Sequence, residues 1–457
     1  MKKIILILTF VLTSSAIFGN EILGDWNGLL KVPGAQLRVV IHIVKTENGY
    51  TATMDSPDQK ATGIPVAKTT FIDGVLKLEI EAVKGSYEGT LNSNNTIRGK
   101  LTQNGQSFEL NFSREIVNKE VHARPQEPQT PFSYYTEEVK VENKKDKITL
   151  AGTLSLPKKE GSFPAVILIT GSGAQNRDEE ILGHKSFLVL SDYLVKKGFA
   201  VLRMDDRGFG ESTGKFKDAI TLDFVNDIRA GVAYLKTRNE INKKKIGLIG
   251  HSEGGLIAPM IAADSKDVAF ILLLAGPGLR GDKLLLRQNE DLQRQSGVSE
   301  KEIRKDFEIL KGAYDLVIAS SVNDEKFKKS IETYFESKLG AENVDTTKQY
   351  TAFVTDNWGY DFLKINPATY LEKVKCPVLA LNGNKDLQVA AEANLEIIKK
   401  TLVKAGNKNV TAKILPDLNH LFQECQTGSP SEYETIEQTF SPIALEEISN
   451  WLLVQTK

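Results

Sequence analysis

Ser252 stands in the run Gly250-His251-Ser252-Glu253-Gly254, a setting in which a serine is a candidate nucleophile. Its hydroxyl attacks a carbonyl only if a base takes the proton, so the chemistry needs a histidine and a carboxylate brought in from elsewhere. The chain holds 5 histidines. His42 lies in an alternating apolar segment and His122 beside a proline-rich stretch. His251 adjoins the serine, and neighbours on a tight turn point apart, so it is expected to pack behind that turn. His184 follows a glycine-rich loop but precedes the serine. His420 comes directly after the strand-like "TAKILPDLNH" and is the expected general base. Asp386 closes "VLALNGNKD" and is the expected orienting acid. Asp417 competes, but three residues before His420 it is awkwardly placed for the distal imidazole nitrogen.

A tetrahedral oxyanion needs two donors. One is expected from the backbone N–H of Glu253, and the second from Gly171-Ser172-Gly173 after "AVILIT", at the Ser172 N–H. No lysine-serine pair follows these glycines, which excludes a phosphate-binding P-loop. Asp205, Asp206 and Arg207 read as a charged turn bracing the loops around the site, and Asn176 to Glu180 as a pocket rim or a solvated loop. No His, Cys, Asp or Glu cluster has metal-ligand spacing, so neither a metal nor a cofactor is expected.

These groups must be held by alternating strands and helices. "VILIT", "AVLRM", "KIGLIG", "VAFILLLAG" and "CPVLAL" are apolar runs separated by helical patterns, which implies a mostly parallel sheet buried on both faces. Gly250 and Gly254 flank the serine where strand must turn sharply into helix. Residues from about 280 to 360 are charged and helical without an apolar strand, as in an inserted helical cap. The terminal "SPIALEEISNWLLVQ" opens with Ser441 as N-cap and Pro442 at the first helical position, with apolar residues at 443, 448, 451 and 452.

The preceding text is different. Residues 20–115 alternate apolar and polar residues between short turn signals, the pattern of a small antiparallel barrel or half-barrel. Residues 116–132, with "RPQEPQTP", read as a linker. Residues 1–19 read as a signal peptide, with Lys2 and Lys3, a short apolar run and a small-residue exit. That run is too short for a membrane span. An exported protein, periplasmic or secreted, is therefore expected. A disulfide between Cys376 and Cys425 is disfavoured, because they fall near opposite ends of the expected sheet. With 457 residues and a formal net charge of -1 the chain has room for two domains and no charge bias toward nucleic acid. Homo-oligomerisation stays open.

The phrases "GSGAQNRDEEILGHKSFLVLSDYL", "DDRGFGESTG", "KKIGLIGHSEGGLIAPMIAA" and "CPVLALNGNKDLQV" resemble the bacterial α/β-hydrolase esterases of the EstD type over about residues 133–457. The resemblance implies an α/β-hydrolase fold with Ser252, Asp386 and His420 as the catalytic triad. It also implies a carboxylesterase acting on small-molecule esters with short acyl chains. Such esterases often carry an N-terminal β-domain opening on G-x-W-x-G, here Gly24-Asp25-Trp26-Asn27-Gly28. The catalytic part is more distantly similar to serine aminopeptidases and dienelactone hydrolases, so an amidase using the same triad is the alternative.

Overall fold

The computed structural model describes residues 22–457 apart from 33, 34, 60, 104, 105, 120, 121 and 341. The expected signal peptide, residues 1–19, lies outside the described residues. The chain divides into two compact units, Met1–Val121 and His122–Lys457. The division falls inside the stretch expected as a linker. Its later part is bonded into the second unit: the Arg124 guanidinium donates to the carbonyls of Glu434 at 2.7 Å and Ile436 at 2.9 Å.

The first unit is an antiparallel barrel. Alternation sends Val39, Ile41 and Ile43 of strand Ala35–Thr46 inward, each no more than 5% exposed. The ring closes through the short strand Phe112–Ser113, which pairs with Gly24–Val32 on one side and Ile97 on the other. Closure removes the open edge a half-barrel would leave. Trp26 is fully buried, and its indole N–H donates to the Ile22 carbonyl at 2.7 Å.

The second unit is built on a sheet in the order Tyr135–Asn143, Ile148–Leu156, Ala200–Met204, Phe163–Ile169, Ile241–His251, Phe270–Leu274, Val378–Gly383, Val410–Leu415. The first two strands form an antiparallel hairpin, Ile148–Leu156 also runs antiparallel to Ala200–Met204, and the remaining pairs are parallel. Helices Thr221–Thr237, Gly254–Ala262 and Ala391–Lys404 pack into one core, and Ser186–Lys196 and Pro442–Gln455 into a separate one. A sheet covered in this way needs strands apolar throughout, as in the fully buried "FILLL" of Phe270–Leu274. This is the α/β-hydrolase fold.

Between Phe270–Leu274 and Val378–Gly383 the chain leaves the sheet. Helices Gly281–Gln295, Glu300–Ala319, Glu325–Leu339, Val344–Thr355 and Asn357–Phe362 occupy the segment expected as a cap. Ser299 caps the second of these with a reciprocal Glu302 bond, and Asp324 caps the third. They share a core of their own that includes Ala313, Val317, Ile331 and Phe335.

The terminal helix turns only some of its apolar residues inward. Its inward face is Ala444, Leu445, Ile448 and Leu452, whereas Ile443 is 49% exposed. Five residues advance a helix about 140° beyond a full turn, so 443 cannot share the face of 448.

Candidate active site

The strand Ile241–His251 ends at a serine that cannot continue it. Ser252 has φ 53°, and its N–H donates to the Leu274 carbonyl at 2.9 Å. A left-handed conformation at a residue with a side chain costs roughly 1–2 kcal/mol. Helix Gly254–Ala262 then starts at once. A Cβ on Gly250 would lie 1.9 Å from the Gly254 carbonyl oxygen, and one on Gly254 would lie 2.2 Å from that of Ile169. The two glycines permit the turn because any side chain there would collide with backbone.

Asp386 and His420 follow Val378–Gly383 and Val410–Leu415, the second and third strands beyond Ile241–His251 along the sheet, past Phe270–Leu274. The structure brings them together: His420 Nδ1 lies 2.8 Å from Asp386 Oδ2, and both side chains are at most 5% exposed. The other carboxylate oxygen, Oδ1, accepts from the Gln388 and Val389 N–H groups at 2.8 and 2.9 Å. With Nδ1–H donated to Asp386, Nε2 keeps a free lone pair. The competitor Asp417 is elsewhere. Its side chain is 67% exposed and paired with Lys385 at 2.9 Å.

The loop after Phe163–Ile169 lies against the nucleophile, since a Cβ on Gly171 would come within 3.2 Å of Ser252 Cβ. The Gly171 N–H is already committed to Glu179 Oε1 at 3.0 Å. Among the described residues the Ser172 and Glu253 N–H groups have no hydrogen-bond partner.

The loop is held by carboxylates. Asp206 accepts from the Thr170 hydroxyl at 2.8 Å and the Gln175 N–H at 2.9 Å, clamping both ends. Asp205 takes the Arg177 backbone N–H and guanidinium. Arg207 pairs with Asp227 at 2.7 Å. Burial, with the Glu253 and Glu179 carboxylates nearby, pushes the Asp206 carboxyl up to about 7. The side chain of Glu253 is also buried and is bonded to the Thr221 hydroxyl at 2.6 Å and the cap's Trp358 indole at 3.0 Å. Burial raises its pKa as well.

His184 is not at the site. It is fully buried and joins Thr439, the Tyr433 carbonyl and Gln423, and burial lowers it to about 4. His42 lies on the barrel between Asp25 and Asp55. His251 is 4% exposed behind the elbow. Cys376 and Cys425 are unbridged. Among the described residues no group of His, Cys, Asp or Glu is placed to hold a metal, and no helix is long and apolar enough to cross a membrane.

Sequence reasoning missed Glu179, Thr221 and Trp358. Glu179 sat in a charged run that reads equally as solvent-exposed. Trp358 sat in a cap whose packing has no local signature. A buried glutamate directly after the nucleophile was the one signal available, because it demands donors from somewhere.

A family model described as "Serine aminopeptidase, S33" matches residues 185–425. Esterase EstD of Thermotoga maritima is 28% identical over 310 residues, covering 66% of this chain and 65% of that protein. An uncharacterized Pseudomonas aeruginosa protein, PA2218, is 29% identical over 128 residues, 27% of this chain and 33% of its own. The chain thus spans just under two thirds of the first relative's length and a third of the second's. Among solved structures, the Pyrococcus furiosus esterase Pf2001 aligns with a TM-score of 0.45 and 17% identity, over 75% of this chain and 100% of that one. The family match covers more than half of the 457 residues, and the chain belongs to the α/β-hydrolase family of serine aminopeptidases, S33.

Proposed function

We propose that the protein is a serine carboxylesterase that hydrolyses small esters with short acyl chains. One observation carries the reading: a buried Asp386–His420 pair, 2.8 Å apart, follows two strands parallel to Ile241–His251 in the same sheet, and that strand runs into a left-handed elbow at Ser252. Ser252 Oγ attacks the ester carbonyl while His420 Nε2 takes its proton. The oxyanion is held by the N–H groups of Glu253 and Ser172. His420 then protonates the departing alkoxide, leaving an acyl-serine. Water, deprotonated by His420, attacks that acyl group and restores Ser252. Asp386 holds the imidazole and balances its charge while it is protonated. The name of the EstD relative supports the ester as substrate. The basic, apolar and small-residue order of residues 1–19 supports an exported enzyme.

An amidase with the same triad is the second reading. Asp206 and Glu253, two buried carboxylates without a cationic partner among the described residues, line a cavity of about 30 Å³ next to Gly171 and Gly173. A space of that size holds a water or an ammonium group but no acyl chain. Assaying p-nitrophenyl esters of graded acyl length beside aminoacyl p-nitroanilides separates the two. Turnover of short esters with none of the anilides is expected. Faster anilide turnover would reverse the assignment.

A further inference from the structure

Four residues, three of them buried, form a continuous hydrogen-bonded chain behind the proposed machinery. Glu179 Oε1 accepts from the Gly171 N–H at 3.0 Å and faces His251 Nδ1 at 2.8 Å. His251 Nε2 donates to the His420 carbonyl oxygen at 2.9 Å. Glu179 is 2% exposed and His251 4%. Each end of this chain adjoins a part of the site: Gly171 precedes Ser172, His251 precedes Ser252, and His420 is itself the base.

Two features show that the arrangement is imposed by tertiary structure rather than by local preference. Glu179 has φ 49°, a left-handed conformation that a glutamate adopts only when its surroundings insist. Both nitrogens of His251 face acceptors, a carbonyl and a carboxylate, so the ring is held best with a proton on each. The Glu179 charge raises the His251 pKa against the opposing effect of burial. A buried imidazolium without its carboxylate would be strongly disfavoured, which makes the two residues one unit.

We propose that Glu179 and His251 are positioning residues that fix the oxyanion loop, the nucleophile elbow and the base loop relative to one another. The inference rests on the serine-hydrolase reading of the same site. Neither residue touches substrate. They act by holding the Ser172 N–H and the His420 ring in place against Ser252, and a misplacement of about 1 Å in such a constellation costs on the order of 100-fold in rate.

The amide of Glu179→Gln can offer an oxygen to Gly171 and His251 but not the carboxylate's charge. If its oxygen stays on the Gly171 N–H, it loses the charge that holds the second proton on His251. If its nitrogen turns to His251, Gly171 loses its acceptor. His251→Gln retains a donor near the His420 carbonyl but drops Glu179.

The test measures steady-state hydrolysis of a short p-nitrophenyl ester and the rate at which a p-nitrophenyl phosphonate labels Ser252, in the full chain and in each variant. For Glu179→Gln, kcat is expected to fall roughly 10- to 100-fold with KM little changed. Phosphonate labelling should slow by the same factor, because its transition state uses the same oxyanion donors. A residue that only supported the fold would lower the number of sites the phosphonate titrates, not kcat per titrated site. Should Glu179→Gln fail to fold, His251→Gln is read in the same way. Labelled wild type with variants of unchanged kcat, or with a loss in KM alone, overturns this inference and leaves the serine-hydrolase reading standing. Wild type left unlabelled at Ser252 overturns both.

Discussion

Nδ1 of His420 lies 2.8 Å from Oδ2 of Asp386, while Oδ1 of the same carboxylate is taken by two backbone N–H groups at the start of the following turn. The carboxylate therefore has one oxygen for orienting the imidazole and one for anchoring itself. Asp386→Asn can keep that shape but not the charge, and it favours the wrong histidine tautomer. A fall in kcat on the order of 10⁴-fold is expected, the size known for the equivalent change in a serine protease. Asp417→Asn, at an exposed Lys385 pair, should alter kcat by less than about twofold. Steady-state kinetics of the two variants checks this. A reversed order would make Asp417 the acid.

The Asp206 carboxyl makes stability depend on pH in a definite direction. Its folded value of about 7 is above the ordinary carboxyl value of 3.8. Between these limits the folded protein keeps a proton that the unfolded chain has released, so this group's contribution to stability falls as pH rises through that window. Asp206→Asn can still accept from the Gln175 N–H and donate to the Thr170 hydroxyl. The stability of the variant relative to wild type should rise from pH 4 to pH 7 and level off above. Melting temperatures across that range measure it, and a flat difference would contradict it.

Trp358 couples the cap to the residue after the nucleophile through its bonds to both oxygens of Glu253, at 3.0 and 3.1 Å. Trp358→Phe keeps most of the ring and its stacking on Phe362 but removes the donor. A buried carboxylate deprived of one partner should cost about 1–3 kcal/mol. Urea unfolding is the measurement, and an unchanged midpoint would mean that the indole is dispensable.

The bonds of Arg124 and Gln126 to the 434–440 segment set where the barrel can be removed. Gln126 accepts from the Thr439 and Phe440 N–H groups at 2.7 and 2.9 Å. A chain beginning at His122 keeps them and should hydrolyse small soluble esters. One beginning at Pro131 loses them and should be less stable by on the order of 2 kcal/mol. A folded chain from His122 that hydrolyses no ester would mean that the barrel supplies part of the site.

What could be read in the sequence were features that repeat or that follow from sterics. Parallel strands declared themselves as apolar runs, and Gly250 and Gly254 marked the turn because no larger residue fits there. Asp386 and His420 stood out because each closely follows an apolar strand of the same mostly parallel sheet as the nucleophile's. Closure of the barrel rested on the two-residue strand Phe112–Ser113, too short to show a period. Glu179, Trp358 and Arg124 were hidden for a common reason: each acts across the fold, and a charged or aromatic residue in a loop or cap looks the same whether it is buried or solvated. The exposure of Ile443 shows the converse, since an apolar residue near a helix start need not face the core.

Peptide mapping after inactivation by a p-nitrophenyl phosphonate tests the central claim most directly. The expected result is a single adduct on the peptide containing Ser252, complete loss of ester hydrolysis, and neither labelling nor hydrolysis in a folded Ser252→Ala variant. An adduct on another serine, or a Ser252→Ala variant that hydrolyses esters at the wild-type rate, would contradict it.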